Sequence, residues 1–146
     1  MFVQKLIMVI KDEYFPRKKS SKPQLLLACP DGGYHGLGVQ FLEIAMLDQQ
    51  IDCKAIYTSV PTLEILNLAK ASQVQAIGFS LTNTDLHSPF ENLPEMVSDI
   101  CKKTQPPLIV IGGQAASLSK LANFNVIYND GSLERLITLL QTKSAS

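Results

Sequence analysis

The sequence predicts an α/β domain: an open, parallel, five-stranded sheet in the order 2-1-3-4-5, with helices on both faces and one short helix ahead of it. Three observations predict this. From Gln24 onward, short apolar runs alternate with segments of helical spacing, the pattern of repeated strand–helix units. The runs are continuous rather than alternating, as in Leu25-Leu26-Leu27-Ala28-Cys29, which marks strands covered on both faces. Breakers stand between the segments, as where Pro106-Pro107 stops one helix and starts the next strand. The pattern is that of Rossmann-like and flavodoxin-like sheets, with right-handed crossovers expected.

The elements follow in order. Phe2, Leu6, Ile7, Val9, Ile10 and Tyr14 recur at helical spacing, so residues 2–14 read as one amphipathic helix that Pro16 ends. Arg17 to Pro23 is basic and lacks large apolar residues, so it reads as a solvated linker. The expected organisation is therefore a helix over 1–16, a linker over 17–23 and the α/β domain over 24–146. After the first strand, Leu37 to Gln49 reads as a helix with Phe41, Leu42, Ala45 and Met46 on one face. Cys53 to Tyr57 is the second strand, and Pro61 opens a helix carrying Leu63, Ile65, Leu66, Leu68 and Ala69. Ala76 to Leu81 is the third strand, and Leu93, Met96, Val97, Ile100 and Cys101 step along a helix face. Leu108 to Ile111 is the fourth strand, Ser117 to Phe124 a short helix and Val126 to Tyr128 the fifth strand. Leu133, Leu136, Ile137 and Leu140 form the last helix after the start signal Asp130-Gly131-Ser132. Met8, Met46 and Met96 fall at helical positions that read as core packing.

Composition narrows the function classes. The 146 residues are 46% hydrophobic and 18% charged, enough apolar matter for one domain with a real core. Thirteen basic residues balance thirteen acidic ones, so nothing global points to nucleic acid or an anionic membrane. No apolar run approaches the roughly 20 residues of a membrane span, and the start lacks the layout of a signal peptide. A soluble, cytoplasmic protein is expected. Cys29, Cys53 and Cys101 lie far apart near apolar segments and read as buried thiols, not as a zinc site.

On such a sheet, ligands bind beyond the carboxyl ends of the strands, where the order reverses between strands 1 and 3. The loops that matter are Pro30 to Gly38, Thr58 to Pro61, Ser80 to His87, Gly112 to Ala116 and Asn129 to Gly131. The first is glycine-rich, lets a ligand approach the backbone closely and holds His35, one of two histidines. No Gly-Lys-Ser/Thr or Gly-x-Gly-x-x-Gly follows, so it is not a phosphate loop. A phospho-receiver needs clustered carboxylates after strand 1 and a lysine after strand 5; only Asp31 is present, and Asn129-Asp130 stands in the lysine's place. A flavin site wants a Ser/Thr-rich first loop, which is missing.

The loops resemble those of the cobalamin (vitamin B12)-binding family, which carries Asp-x-His-x-x-Gly after strand 1, Ser-x-Leu after strand 3 and Gly-Gly after strand 4. Here His35-Gly36-Leu37-Gly38 matches His-x-x-Gly, Ser80-Leu81-Thr82 stands after strand 3 with the leucine one place early, and Gly112-Gly113 follows strand 4. Val60-Pro61 is similar to the family's second-loop proline. The resemblance spans about residues 24–140 and implies a corrinoid cofactor, adenosyl- or methylcobalamin. It implies His35 as the cobalt ligand, displacing the cofactor's own benzimidazole, with the nucleotide tail between strands 1 and 3. It implies that Ser80 bonds the tail, that Gly112 and Gly113 let it pass, and that Gly38 lets the helix start tight under the corrin. Thr82, Thr84 and Gln114 are further polar contacts in this reading, and Tyr34 lies beside His35 in the same loop. His87, in the loop after strand 3, reads as a surface or helix-start residue.

The chain departs from the family in two ways. Gly33 stands where the family has the Asp that orients the histidine, a contact that strengthens a metal ligand. Asp31, four residues before His35, is the nearest carboxylate to take its place. The run Cys29-Pro-x-Gly-x-x-His-x-Leu-Gly is similar to that of B12-dependent regulators and photoreceptors of the MerR type, which tilts the expectation from enzyme to sensor. The helical cap that usually covers the upper corrin face is also reduced to one helix, which implies a partner protein or self-association over that face. No nucleophile–base pair or catalytic carboxylate pair is evident, so catalysis by this chain alone is not expected. Two other readings stay open: a haem-binding or cofactor-free relative acting through protein interaction, and a corrinoid-carrying subunit of a methyltransferase or mutase.

Overall fold

A computed structural model of the chain describes residues 2–14, 23–29, 36–80, 93–100, 107–112, 126–128 and 133–144. Its elements are α1 (Phe2–Tyr14), β1 (Leu25–Cys29), α2 (Gly36–Asp48), β2 (Cys53–Ser59), α3 (Thr62–Ser72), β3 (Ala76–Ser80), α4 (Leu93–Ile100), β4 (Leu108–Gly112), β5 (Val126–Tyr128) and α5 (Leu133–Ser144). The strands run parallel in the order β2-β1-β3-β4, with the short β5 alongside β4. The expected reversal between β1 and β3 is therefore present. The expected linker over 17–22, the helix over 117–124 and Cys101 lie outside the described residues.

Period-two alternation divides the sheet between two faces. Leu25, Leu27, Cys29, Ala76, Leu108 and Val110 pack on one face with Val39 and Met46 of α2 and Leu136 and Leu140 of α5. Leu26, Ala28, Ile77, Phe79 and Ile109 alternate to the other face and are fully or almost fully buried, as are Ile65, Leu66 and Ala69 of α3. All five residues of β1 are buried, as expected of a central strand flanked by β2 and β3. On the α2/α5 face the column along β3 is small: Ala76, Gly78 and Ser80. A Cβ placed on Gly78 would come within 2.8 Å of the Leu27 Cδ2 methyl, which fills that space.

Several expected faces are corrected. The buried face of α2 is Gly36, Val39, Gln40, Glu43 and Met46, whereas Phe41 is 55% exposed. The helix is rotated away from its most apolar stripe because Glu43 is held inward by two polar partners. On α1, Ile7 and Lys11 are buried, while Phe2, Leu6, Val9 and Ile10 face outward. Met46 is core and Met8 is exposed. On α3, Leu63 is exposed, and Pro61 is the N-cap residue in extended geometry, so the helix starts at Thr62. β2 runs two residues beyond the expected Tyr57, and β4 one residue beyond Ile111.

Gly36 opens α2 against β2. A Cβ there would collide with the Tyr57 carbonyl oxygen, a backbone atom that cannot swing aside. Gly36→Ala is expected to lower the unfolding free energy by about 1–3 kcal/mol, the usual penalty of overpacking, read from the urea midpoint at unchanged slope.

Candidate functional site

The carboxyl ends of β1, β2, β3 and β4 bring Cys29, Ser59, Ser80 and Gly112 to one edge of the sheet. Cys29 is in register with Ser59, and Ser80 with Gly112. Ser80 is half-buried at the end of the small-residue column on β3. The N-terminus of α2 stands at the same edge, fixed by the contact between Gly36 and Tyr57. Two residues on, Gly38 is exposed, and a Cβ there would meet nothing within 4 Å. Open space thus lies beside the first turn of α2, where unpaired backbone N–H groups point.

Four buried polar atoms lack a hydrogen-bond partner among the described residues: Asp52 Oδ2 and Gln75 Oε1, just ahead of β2 and β3, and Gln40 Oε1 and Thr62 Oγ1. Gln40 in α2 and Thr62 at the start of α3 are each 5% exposed. Such groups are normally satisfied by protein, water or ligand. Burial pushes the Cys29 thiol pKa above its ordinary value, which disfavours the thiolate a metal would need.

A second polar constellation lies between α1, α2 and β2. Lys11 Nζ donates to both carboxylate oxygens of Glu43, at 2.9 and 2.8 Å, and to the Tyr57 hydroxyl oxygen at 2.6 Å. The Tyr57 hydroxyl in turn donates to Glu43 Oε2. The Lys11 and Glu43 side chains are 6% and 1% exposed. Burial pulls the Lys11 pKa down, but its bonds to Glu43 and Tyr57 and the Glu43 charge outweigh that and leave it above the ordinary value. Burial, then the bond to Glu43, pushes the Tyr57 hydroxyl pKa up. Both shifts keep the two protons in place at neutral pH. Lys11 and Glu43 are buried and Tyr57 is half-buried, and the cluster serves as a structural lock.

Of the residues singled out in the sequence, Gly36, Leu37, Gly38, Val60, Ser80 and Gly112 are described. Gly36 and Gly38 stand at the start of α2, Leu37 between them is exposed, and Val60 is half-buried ahead of α3. Asp31, Gly33, Tyr34, His35, Leu81, Thr82, Thr84, His87, Gly113 and Gln114 lie outside the described residues. His35 directly precedes Gly36 in the chain, so its backbone joins the anchored start of α2. The sequence reading missed Lys11, Glu43 and Tyr57. The signal was a charge inside each apolar pattern: Lys11 one turn after Ile7, and Glu43 between Val39 and Met46.

No protein-family model and no curated protein matches the chain. Among solved structures, the fold is similar to that of a cobalamin-binding protein from Desulfitobacterium hafniense DCB-2. The TM-score is 0.64 at 15% identity, covering 97% of this chain and 67% of that one. At this identity the likeness is one of fold. No described helix is long and apolar enough to cross a membrane, and no cluster of three or more potential metal-ligating His, Cys, Asp or Glu occurs among the described residues.

Lys11→Ala strands the buried Glu43 carboxylate and is expected to lower stability by about 3–5 kcal/mol. The double variant Lys11→Met/Glu43→Leu, which removes both charges, is expected to recover most of that loss in the same urea titration. The pH dependence has a definite sign. Lys11 titrates in the folded chain above its ordinary 10.5, so its contribution is full below that pH and is lost as pH rises through the higher folded value. Unfolding free energies measured from pH 8 upward, roughly two units past the lysine value, should fall at the alkaline end in the wild type. The double variant should lack the Lys11 part of that fall.

Proposed function

We propose that this chain is a cobalamin-binding sensory or regulatory module in which His35 is the lower cobalt ligand and the cofactor is held with its own base displaced. The observation that carries the reading is the arrangement at the sheet's carboxyl edge. Ser80 lies beside Gly112 across β3 and β4, and open space lies over Gly38 at the start of α2, three residues after His35. Each is a position at which the loops resemble the B12-binding family. The similarity in fold to a cobalamin-binding protein supports the reading independently of those motifs.

The residues present fit such a group. Ala76, Gly78 and Ser80 form a small-residue column beneath α2 and α5, along which a nucleotide tail would be held, with Ser80 donating or accepting at its end. The Leu27 Cδ2 methyl stands over Gly78, so the deeper part of the column opens by movement of a side-chain tip. Gln40 Oε1 and Thr62 Oγ1 are acceptors suited to amide N–H groups or to bridging water. When bound, cobalamin supplies a cobalt ion with an exchangeable upper ligand. The chain's own part is to offer the neutral His35 imidazole, to seat the tail on small residues and to cover the lower face. The loop run from Cys29 to Gly38 supports the regulatory branch, and the lack of a nucleophile–base pair in the sequence supports a role without catalysis.

The test is absorbance after mixing with hydroxo- and adenosylcobalamin in the dark, followed by desalting. Retained corrin absorbance in the wild type is expected, with affinity lost and the cobalt spectrum altered in His35→Ala. An unchanged spectrum and affinity in that variant would remove His35 from the cobalt. No retained corrin would overturn the cobalamin reading, and a Soret band after haem loading would reassign the site to haem. Gly38→Ala gives a second check. Removing a helical glycine should raise apo stability by about 0.5–1 kcal/mol, yet the methyl intrudes into the proposed site and should weaken corrin retention.

A further inference from the structure

The helix α1 carries apolar residues on both its buried and its exposed side. Its inner side, Ile7 and Lys11, is buried against the rest of the domain. Its outer side carries Phe2, Leu6 and Val9, which are 79%, 46% and 51% exposed, with Ile10 on the flank at 36%. Positions 2, 6, 9 and 13 form one ridge at helical spacing. An exposed apolar ridge opposite a buried side marks a surface for an occupant.

The charges along it indicate which occupant. Lys5 near the start and Asp12 near the end are exposed and seven residues apart, which places them on the same flank of the ridge. Glu13 closes the ridge at its far end. Within α1 the exposed charges are two acids, Asp12 and Glu13, against one lysine, Lys5, so the helix has no basic face of its own for an anionic lipid surface. The basic residues Arg17 to Lys22 follow beyond it in the chain, which is why vesicles enter the test below. A second copy fits. When two identical helices pack antiparallel about a twofold axis, equal flanks face each other, so Lys5 of each copy meets Asp12 of the other. With Leu6 level with the other copy's Val9 at the centre, Lys5 and the other copy's Asp12 lie two residue levels apart, about 3 Å, within reach of the lysine side chain, and Phe2 and Glu13 are level at the ends. A parallel pairing would set these flanks apart.

We propose that α1 is a self-association surface through which two copies of this chain pair antiparallel by the Phe2–Leu6–Val9 ridge, with Lys5 of one copy against Asp12 of the other. A helix of this length spans about 20 Å, less than a standard interface needs, so the pairing is reversible and concentration-dependent. It is independent of the cofactor reading, since it rests on residues of α1 alone.

The experiment is sedimentation equilibrium of the full chain over a wide concentration range, without added cofactor. A monomer–dimer equilibrium is expected. Leu6→Ser/Val9→Ser should raise the dissociation constant about tenfold to a hundredfold, the effect of losing buried aliphatic side chains. Lys5→Glu should weaken pairing, and Lys5→Glu/Asp12→Lys should restore it, which a structural role of either residue would not produce. Unchanged circular dichroism in each variant keeps the comparison valid, since all four positions face outward. A monomer at every concentration overturns the proposal, as does a dimer indifferent to these variants. Sedimentation with phosphatidylserine vesicles by a chain that does not self-associate overturns it in favour of a lipid surface.

Discussion

Two opposite charges held away from water inside a small α/β domain must be matched closely, and the match between Lys11 and Glu43 dictates how the outer helix meets the sheet. Desolvation of either charge alone is a penalty of several kcal/mol. It is offset because Lys11 reaches both carboxylate oxygens and the Tyr57 hydroxyl completes the ring. Apolar contacts are tolerant of a helix sliding by a turn; this arrangement is not, because a shift of α1 would leave Glu43 buried without its cation. The lock therefore fixes the register of α1 on α2 and β2, and it explains why α2 turns Glu43 inward and leaves Phe41 outside.

Tyr57 carries that constraint to the sheet edge. Its hydroxyl belongs to the lock and its backbone carbonyl is the surface against which Gly36 packs. One residue of β2 thus ties the placement of α1 to the first residue of α2, next in the chain to His35. The edge itself is assembled from parallel register: β1 against β2 and β3, then β3 against β4, which sets Ser80 beside Gly112. The start of α2 is packed closely at Gly36 and open at Gly38.

The strands and their order were legible because continuous apolar runs such as Leu25–Cys29 have few alternatives once breakers bound them. Ser80 and Gly112 were legible as edge residues for the same reason: a strand's end is easy to place when its start and length are. The helix faces were less so. Leu42 and Met46 pack on the core as their spacing suggests, but Phe41 outweighs Glu43 in any count of apolar spacing, so the pattern alone puts Phe41 inside and Glu43 outside. On α1 the apolar residues run round the helix, and nothing local says that Lys11 marks the inner side. The information lies in a partner 32 residues away and another 46 away, a tertiary pairing that periodicity does not encode. Pairing an acid in one apolar stripe with a base in another is the rule that would have found it.

The column on β3 adds a last constraint on what the fold can hold. Ala76, Gly78 and Ser80 are small where neighbouring strands carry Leu25, Leu27, Leu108 and Val110. In a core selected only for packing, a glycine in the middle of a central strand is a liability, since it weakens the strand and offers no side chain to bury. Here the space over Gly78 is taken by the tip of Leu27, an atom at the free end of a rotatable side chain rather than backbone. A methyl at the end of a side chain thus closes the core over the glycine. A larger residue at position 78 would displace that methyl. The glycine at 78 makes room for the Leu27 tip, and the small column it belongs to runs outward to Ser80 at the sheet edge.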